Sequence, residues 1–188
     1  MKTNEVKNVT TGKPMKTGAL FRAPLGTTLP TDATTALAED FILMGYLSED
    51  GITNKNSRSS DNTKAWGGDT VLTSESDYED SFQMTLIESL NPEVLKMRFG
   101  NKNVTAAAEN ITLRVNSSER ESGVYVIDIL LKNGGVKRIV IPEAKITDTG
   151  DIVYNDTDPI GYDMTLTAFP HSGFEGDTHR EYIKTAGE

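Results

Sequence analysis

Acidic side chains offer the most familiar chemistry in this sequence. Asp148, Thr149 and Gly150 form the Asp-Thr-Gly tripeptide of aspartic proteases. Those enzymes use two such aspartates, whose carboxyl groups share one proton. Asp151 follows directly, between two segments with the character of strands. Asp and Gly are also the residues that tight turns prefer. A turn between strands accounts for the tripeptide, and we predict no protease chemistry.

Metal binding is the other chemistry that acids and histidines could support. The aspartates of residues 148–158 carry the oxygen ligands that Ca²⁺ prefers, but their spacing is not that of an EF-hand loop. His171 and His179, the only histidines, lie in a polar tail without the spacing of known zinc motifs. Phosphate-binding, dinucleotide-binding and nucleophile-elbow motifs are also missing from the sequence. We therefore predict no enzyme, no metal site and no cofactor.

Composition narrows the class of protein further. The 188 residues include no cysteine, which excludes a disulfide framework and a zinc-thiolate site. The 28 acidic and 19 basic residues give a net charge of -9, which disfavours sequence-independent nucleic-acid binding, because such binding relies on Lys and Arg. No apolar run approaches the ~18 residues of a membrane helix. The N-terminus lacks a signal peptide's apolar stretch, so we expect no membrane contact.

The charge is unevenly distributed along the chain. Residues 1–22 hold five basic side chains and one acidic one, whereas residues 143–188 hold three basic and ten acidic ones. Opposite charges at the two ends favour docking between segments or between subunits, and an ordinary solvated surface is the alternative interpretation.

The elements that must position these residues are mostly strands. Residues 1–20 and 171–188 are polar and predict N- and C-terminal arms around one domain at 21–170. Residues 53–68 form the longest polar stretch and predict a long loop, near whose end lies the only tryptophan, Trp66. We expect Trp66 to anchor either in its own core or in a neighbouring subunit.

A hairpin and one helix follow this predicted loop. Strands are predicted at 69–75 and 79–88 with a turn between them, and Phe82, Met84 and Leu86 alternate with polar residues in the second. Asn91 before Pro92 predicts the start of a helix over about 91–99. A short helix at 33–38 is also expected. Further strands are predicted at 41–47, 111–115, 123–131, 137–141, 143–149, 151–154 and 162–169.

These elements predict a mainly β fold of the α+β class. We expect a β-sandwich or barrel of two antiparallel sheets flanked by one α-helix, with extended arms and a long inter-strand loop.

Three segments together resemble a known family. They are residues 18–33 (GALFRAPLGTTLPTDA), 43–51 (LMGYLSEDG) and 82–100 (FQMTLIESLNPEVLKMRFG). In this order they resemble the major tail tube proteins of long-tailed, non-contractile bacteriophages, the siphophages. The resemblance covers about residues 18–100 by motif and the remainder by strand pattern only.

The resemblance implies a structural virion protein, made in the bacterial cytoplasm and placed in the phage tail. Such proteins form hexameric rings whose sheets join into one β-barrel, and the rings stack into a tube through which DNA is ejected. The implied partners are further copies of the chain, the tail terminator, distal tail and tape measure proteins, and double-stranded DNA in transient passage. Another ring-forming tail or secretion-tube subunit, and a monomeric carbohydrate-binding β-sandwich, remain as alternatives.

The resemblance also suggests roles for particular residues. An acidic or uncharged wall would give passing DNA no point of arrest, because carboxylates repel phosphates. The candidates for facing the lumen are Glu79, Ser81, Gln83, Thr85, Asp69, Thr73 and Glu75. The candidates for contacts between rings are Asn54, Lys55, Arg58, Lys64 and Trp66. The candidates for contacts of the basic arm are Lys2, Lys7, Lys13 and Lys16.

Overall fold

The computed structural model of the chain describes residues 3–186, and within them the fold is mainly β. The predicted fold class is confirmed, although the strands do not close into a barrel. The elements are β1 (Gly12–Pro14), β2 (Leu20–Ala23), β3 (Ile42–Leu43), β4 (Leu47–Lys64), β5 (Thr70–Leu86), α1 (Pro92–Phe99), β6 (Val104–Ala107), β7 (Asn110–Leu113), β8 (Gly123–Leu131), β9 (Val136–Thr149), β10 (Tyr162–Ala168) and β11 (Arg180–Lys184).

Nine of these strands form one antiparallel sheet. Its order is β3-β2-β8-β9-β10-β5-β4, with β1 beside β8 and β11 beside β9, while β6 and β7 form a separate pair. Strand β9 is shared between two parts of the sheet, because residues 136–141 pair with β8 and residues 144–149 pair with β10. We call the part made of residues 144–149, β10, β5 and β4 the β10 layer.

The main core lies on the apolar face of the β10 layer. Phe82, Met84 and Leu86 are at most 2% exposed, which confirms the alternation predicted for this segment. They cluster with Met164 and Leu166 of β10, with residues of β8 and with the buried face of α1. Burial of such large side chains contributes about 1.5–3 kcal/mol each, so this cluster holds the layers together.

The predicted helix is confirmed. The Asn91 side chain accepts a hydrogen bond from the Glu93 backbone N–H at 3.0 Å. Pro92 occupies the first turn, where a backbone N–H would have no partner within the helix, so its missing N–H costs nothing. Lys96 and Arg98 lie in the last turn, where positive charge is favourable, and the helix ends before Gly100.

A buried ion pair supports the opposite face of strand β8. Asp128 and Arg138 are cross-strand partners, with Nε–Oδ1 and Nη2–Oδ2 distances of 2.7 and 2.8 Å. The remaining Arg138 nitrogen donates to the carbonyl oxygens of Asp32 and Thr35 at 3.3 and 2.6 Å. This one guanidinium therefore ties the 32–35 segment to the sheet.

Several predictions about local structure are wrong. No helix forms at 33–38, because the Asp32 carboxylate instead accepts the backbone N–H groups of Thr34 and Thr35, both at 2.6 Å, in a turn. Residues 151–154 are not a strand, and the strands predicted at 137–141 and 143–149 are one, β9.

The predicted arms are largely folded against their own chain. Strand β1 pairs with β8, and β11 pairs with residues 136–140 of β9. Phe174 is buried beside Val126 and Val140 in a second, smaller cluster. Each terminal segment thus pairs with a strand of the sheet. The polar composition of these segments did not indicate this pairing.

The long loop predicted at 53–68 is also wrong. Residues 53–64 belong to β4 and each of them pairs with β5, and only residues 65–69 form the turn. The two strands predicted at 69–75 and 79–88 are accordingly the single strand β5.

Candidate functional site

The β4–β5 hairpin extends well beyond the rest of the sheet. Of β5, only residues 81–86 pair with β10, so among the described residues β4 and β5 pair only with each other from Asn56 and Asp80 outward. We call residues 56–80 the ribbon. At ~3.3 Å per residue it projects roughly 25 Å. A two-stranded ribbon is marginally stable in water, so this segment is suited to packing against something else.

The tip of the ribbon presents apolar side chains to solvent. Trp66 lies in the turn and is fully exposed, at 105% of its reference area. Val71 and Leu72, on the adjacent strand, are also exposed. The prediction that Trp66 could anchor in its own core is therefore wrong, and the alternative, a neighbouring subunit, is the one that remains.

Two of the predicted inter-ring residues have partners on the β4–β5 hairpin itself. Arg58 Nη1 lies 2.8 Å from Glu75 Oε2, and its guanidinium stacks over the Tyr78 ring at 4.8 Å. Lys55 Nζ lies 3.9 Å from Glu79 Oε2. These pairs are exposed and contribute at most about 1 kcal/mol each, so they align the strands more than they stabilise them.

A third predicted contact residue, Asn54, belongs to a cluster at the base of the ribbon. Its Nδ2 donates to Asp80 Oδ1 at 2.9 Å, while Thr178 Oγ1 and His179 Nδ1 donate to Asp80 Oδ2 at 2.6 and 2.5 Å. The His179 ring also meets Phe82 edge-to-face at 5.3 Å. The cluster fastens the C-terminal segment to the root of the hairpin.

The Asp80 carboxyl is ionised within this cluster. Burial alone favours its neutral form, but hydrogen bonds from His179, Thr178 and Asn54, together with the electrostatic attraction of His179, outweigh burial and lower the pKa of Asp80. Sequence reasoning missed Asp80 because two of its partners, Thr178 and His179, are about 100 residues away along the chain. The one available signal was that His179 is one of only two histidines.

The opposite face of the β10 layer is polar. Ser81, Gln83 and Thr85 lie across from Thr167, Thr165 and Asp163, and the flanking strands contribute Thr53, Lys55, Lys145 and Thr147. Gln83 is exposed and Thr85 half-buried, whereas Ser81 is only 3% exposed. The face is thus rich in hydroxyl and amide groups, with few charges at its centre.

A bulge divides the seven residues predicted to face a lumen. Ser59 pairs with Asp77 but Ser60 pairs with Glu75, so Ser76 is an extra residue on β5. One extra residue reverses the faces beyond it, since side chains alternate with a period of two. Glu79, Ser81, Gln83 and Thr85 therefore share one face, Thr73 and Glu75 lie on the other, and Asp69 lies in the turn.

Both lateral edges of the β10 layer are open. Within residues 3–186, strand β4 pairs with β5 on one side only, and residues 145–149 of β9 pair with β10 but not with β8. Unpaired edges are templates for further strand pairing. The layer can therefore be extended on either side by another chain.

The predicted arm contacts are only partly described. Lys2 lies outside the described residues. Lys7 pairs with Glu5 at 3.4 Å. Lys13 lies in β1 and Lys16 just after it, and both are exposed.

The residues considered for metal binding do not converge. Across residues 3–186, no three His, Cys, Asp or Glu side chains are grouped so that they could hold a metal ion. Over the same residues, no helix has the length and apolarity needed to cross a membrane.

Together, the projecting ribbon, the two open sheet edges and the polar sheet face define a protein built for assembly with other chains. The family of phage tail tube proteins has a model that matches residues 5–181 of the chain. The chain belongs to that family and is a structural component of a phage tail. A comparison with curated proteins gave no match.

Proposed function

We propose that six copies of this chain form a ring, that rings stack into the tail tube, and that the bore carries DNA from the virion to the host cell. The observation that best supports this proposal is the β10 layer, which combines two open edges with one apolar and one polar face. A layer of this kind can close with its copies into a barrel while its apolar face stays packed on the rest of the subunit.

Ring closure follows from the two edges. The outer edge of β4 in one subunit pairs with residues 145–149 of β9 in the next, so each subunit adds four strands to a continuous sheet. Six subunits give a barrel of 24 strands, and diameter rises with strand number, so such a barrel encloses an open channel. Closure also removes the edges, which would otherwise promote irregular aggregation.

The polar face then lines the bore. Gln83 and Thr85, with Thr165 and Thr167 from the adjacent strand, offer hydroxyl and amide groups, and Glu79 adds a carboxylate toward the ribbon. Lys55 and Lys145 also lie on this face, but each has a carboxylate partner, Glu79 at 3.9 Å and Glu119 at 2.5 Å. Hydrated groups that are uncharged, acidic or neutralised in this way hold phosphates weakly, so DNA passes without stopping. Thr73 and Glu75 are left out of this wall, because the bulge at Ser76 turns them to the other face.

The ribbon joins successive rings. It projects from the sheet with exposed apolar residues at its tip, and a contact between its tip and a different surface of the next copy repeats without closing, which generates a filament. Tail terminator, distal tail and tape measure proteins are the partners proposed at the tube ends and within the bore.

The wall assignment can be tested by charge reversal. The double variant Glu79→Lys and Gln83→Lys adds three positive charges per subunit, or eighteen per six-membered ring. The expected result is that virions assemble normally but eject DNA more slowly, as measured by single-particle ejection of dye-labelled DNA.

The control variant makes the same charge change elsewhere. Glu109→Lys with Thr112→Lys places three positive charges at the exposed β6–β7 hairpin, and ejection should remain at the wild-type rate. Wild-type kinetics in both variants would overturn the assignment of this face to the bore. Failure of the purified wild-type chain to form tubes in negative-stain electron microscopy would overturn the proposed assembly.

A further inference from the structure

A groove lies at the root of β4, at the opposite end of this strand from the ribbon tip. Its volume is about 800 Å³, and it runs between residues 12–19 and residues 43–52, with Ile127 and Ile129 of β8 behind it. Leu43 and Tyr46 on its border are 39% and 75% exposed. An open concavity with exposed apolar side chains at its edge is a suitable receptor for a protein partner.

Close backbone approach shapes the two walls of the groove. A Cβ on Gly18 would lie 2.0 Å from Leu43 Cδ1, and one on Gly45 would lie 2.3 Å from the Glu88 carboxyl carbon. Both glycines have positive φ angles, 108° and 75°, which other residues rarely adopt. The backbone conformation thus forms the groove in the single, unassembled chain.

We propose that this groove receives Trp66 from the ribbon tip of a second copy of the chain. The inference rests on the proposed stacking of rings and identifies the surface that each ribbon contacts. Trp66 is fully exposed and has no aromatic neighbour in the described chain. Large aromatic side chains that enter a pocket commonly dominate the energy of an interface.

The groove cannot be filled by the same chain's own tip. Ile52 lines the groove and Lys64 ends β4, so twelve steps of ~3.3 Å along the extended chain separate the two sites by roughly 40 Å. Tip and groove are different surfaces at opposite ends of β4. Their contact is therefore head-to-tail and repeats indefinitely, as a tube requires.

Charges at the tip and at the groove are complementary. Lys64 stands two residues before Trp66, and the groove carries the exposed acids Glu49 and Asp50. Asp69 closes the tip turn, and the 12–19 wall of the groove carries two exposed lysines. The positive and the negative side chain at the tip thus each have oppositely charged side chains available in the groove. This charge complementarity orients the approaching ribbon.

Intrinsic fluorescence gives a direct test, because Trp66 is the only tryptophan. On assembly of the unmodified protein, its emission should shift to shorter wavelength, and quenching by acrylamide should fall several-fold. Tubes whose tryptophan is quenched as readily as that of the unassembled protein would overturn the inference while leaving the proposed tube intact.

A cysteine pair locates the receptor, since the chain has no cysteine of its own. Gly67→Cys preserves Trp66, and its Cβ would meet only Asp69 Oδ2, at an ordinary contact distance of 3.8 Å, while Thr17→Cys lies in the groove. Oxidised tubes of the double variant should give a ladder of linked chains on non-reducing gels. The matched control combines Gly67→Cys with Thr112→Cys on exposed strand β7 and should remain monomeric on the gel.

The outcomes separate the two proposals. A ladder only with Thr17→Cys supports the groove as receptor. Tubes without that ladder, or equal ladders in both variants, overturn the groove assignment but not the tube. A wild-type chain that never forms tubes overturns the proposed function and, with it, this inference.

Discussion

The contact between Asp80 and the C-terminal segment makes a sharp prediction about stability. Asp80→Ala removes an ionised, fully buried carboxylate that accepts hydrogen bonds from Asn54, Thr178 and His179. We expect it to release the segment that includes β11 from the root of the hairpin.

The magnitude follows from the three contacts. Hydrogen bonds to a charged group contribute about 1.5–3 kcal/mol each. The net loss of stability is smaller than the sum of these three contributions, because the His179 side chain is 15% exposed and can form hydrogen bonds to water instead. Removing one member of a buried charged cluster costs about 3–5 kcal/mol. For a chain of this length that loss lowers the melting temperature by roughly 10 °C.

The assay is urea and thermal unfolding of the unassembled protein, with hydrogen exchange to locate the effect. Asp77→Ala is the matched control, since it removes an exposed aspartate from the same strand. Amides of residues 177–184 should lose protection in Asp80→Ala and keep it in the control. A loss below 1 kcal/mol with unchanged protection would refute the reasoning.

The same cluster predicts a pH dependence. The pKa of Asp80 is lowered below its ordinary value of 3.8, so the folded state favours the ionised form. The stability it supplies is complete above that ordinary value and is lost as the pH falls through the lower folded-state pKa. Wild-type protein should therefore lose protection of residues 177–184 in acid below about pH 4. Asp80→Ala, which lacks that protection already at neutral pH, should show no further loss in acid.

Two further predictions concern the sheet. Arg138→Met should cost about 3–5 kcal/mol in urea unfolding, because it leaves the Asp128 carboxylate buried and unpaired, whereas Arg138→Met with Asp128→Leu should recover most of the loss; equal losses would show that the unpaired charge is not the cause. Amides of the ribbon should exchange rapidly in the unassembled protein and slowly in tubes, because two strands alone are marginally stable; the same slow exchange in both states would contradict a ribbon stabilised by assembly.

Where a local residue pattern matches the final environment, the sequence was sufficient to predict the structure. The alternation of Phe82, Met84 and Leu86 marked a strand with one core face, and Asn91-Pro92 marked the start of the helix. The strand predicted at residues 123–131 has those bounds in the structure. In each case the local pattern and the tertiary environment favour the same structure.

Features that depend on distant pairing could not be predicted. The bulge at Ser76 arises from the register between β4 and β5, which residue types do not reveal, and it reverses the faces of Thr73 and Glu75. The groove likewise exists only because β1 and the start of β4 are brought beside β8. Asp80 and His179 meet across about 100 residues for the same reason.

The failure at residues 53–64 has a physical cause that also bears on function. A strand is recognised by an apolar face, and this segment of Asn, Ser, Thr, Lys and Asp has none, because neither of its faces meets the core. Its extended form is imposed by pairing with β5. A subunit with a long open edge must avoid pairing with the wrong chains before it assembles, and polar and charged side chains on that edge reduce such pairing. The polar composition that led to the prediction of a loop therefore also keeps the unpaired edge of β4 from aggregating before the subunit assembles with its neighbour.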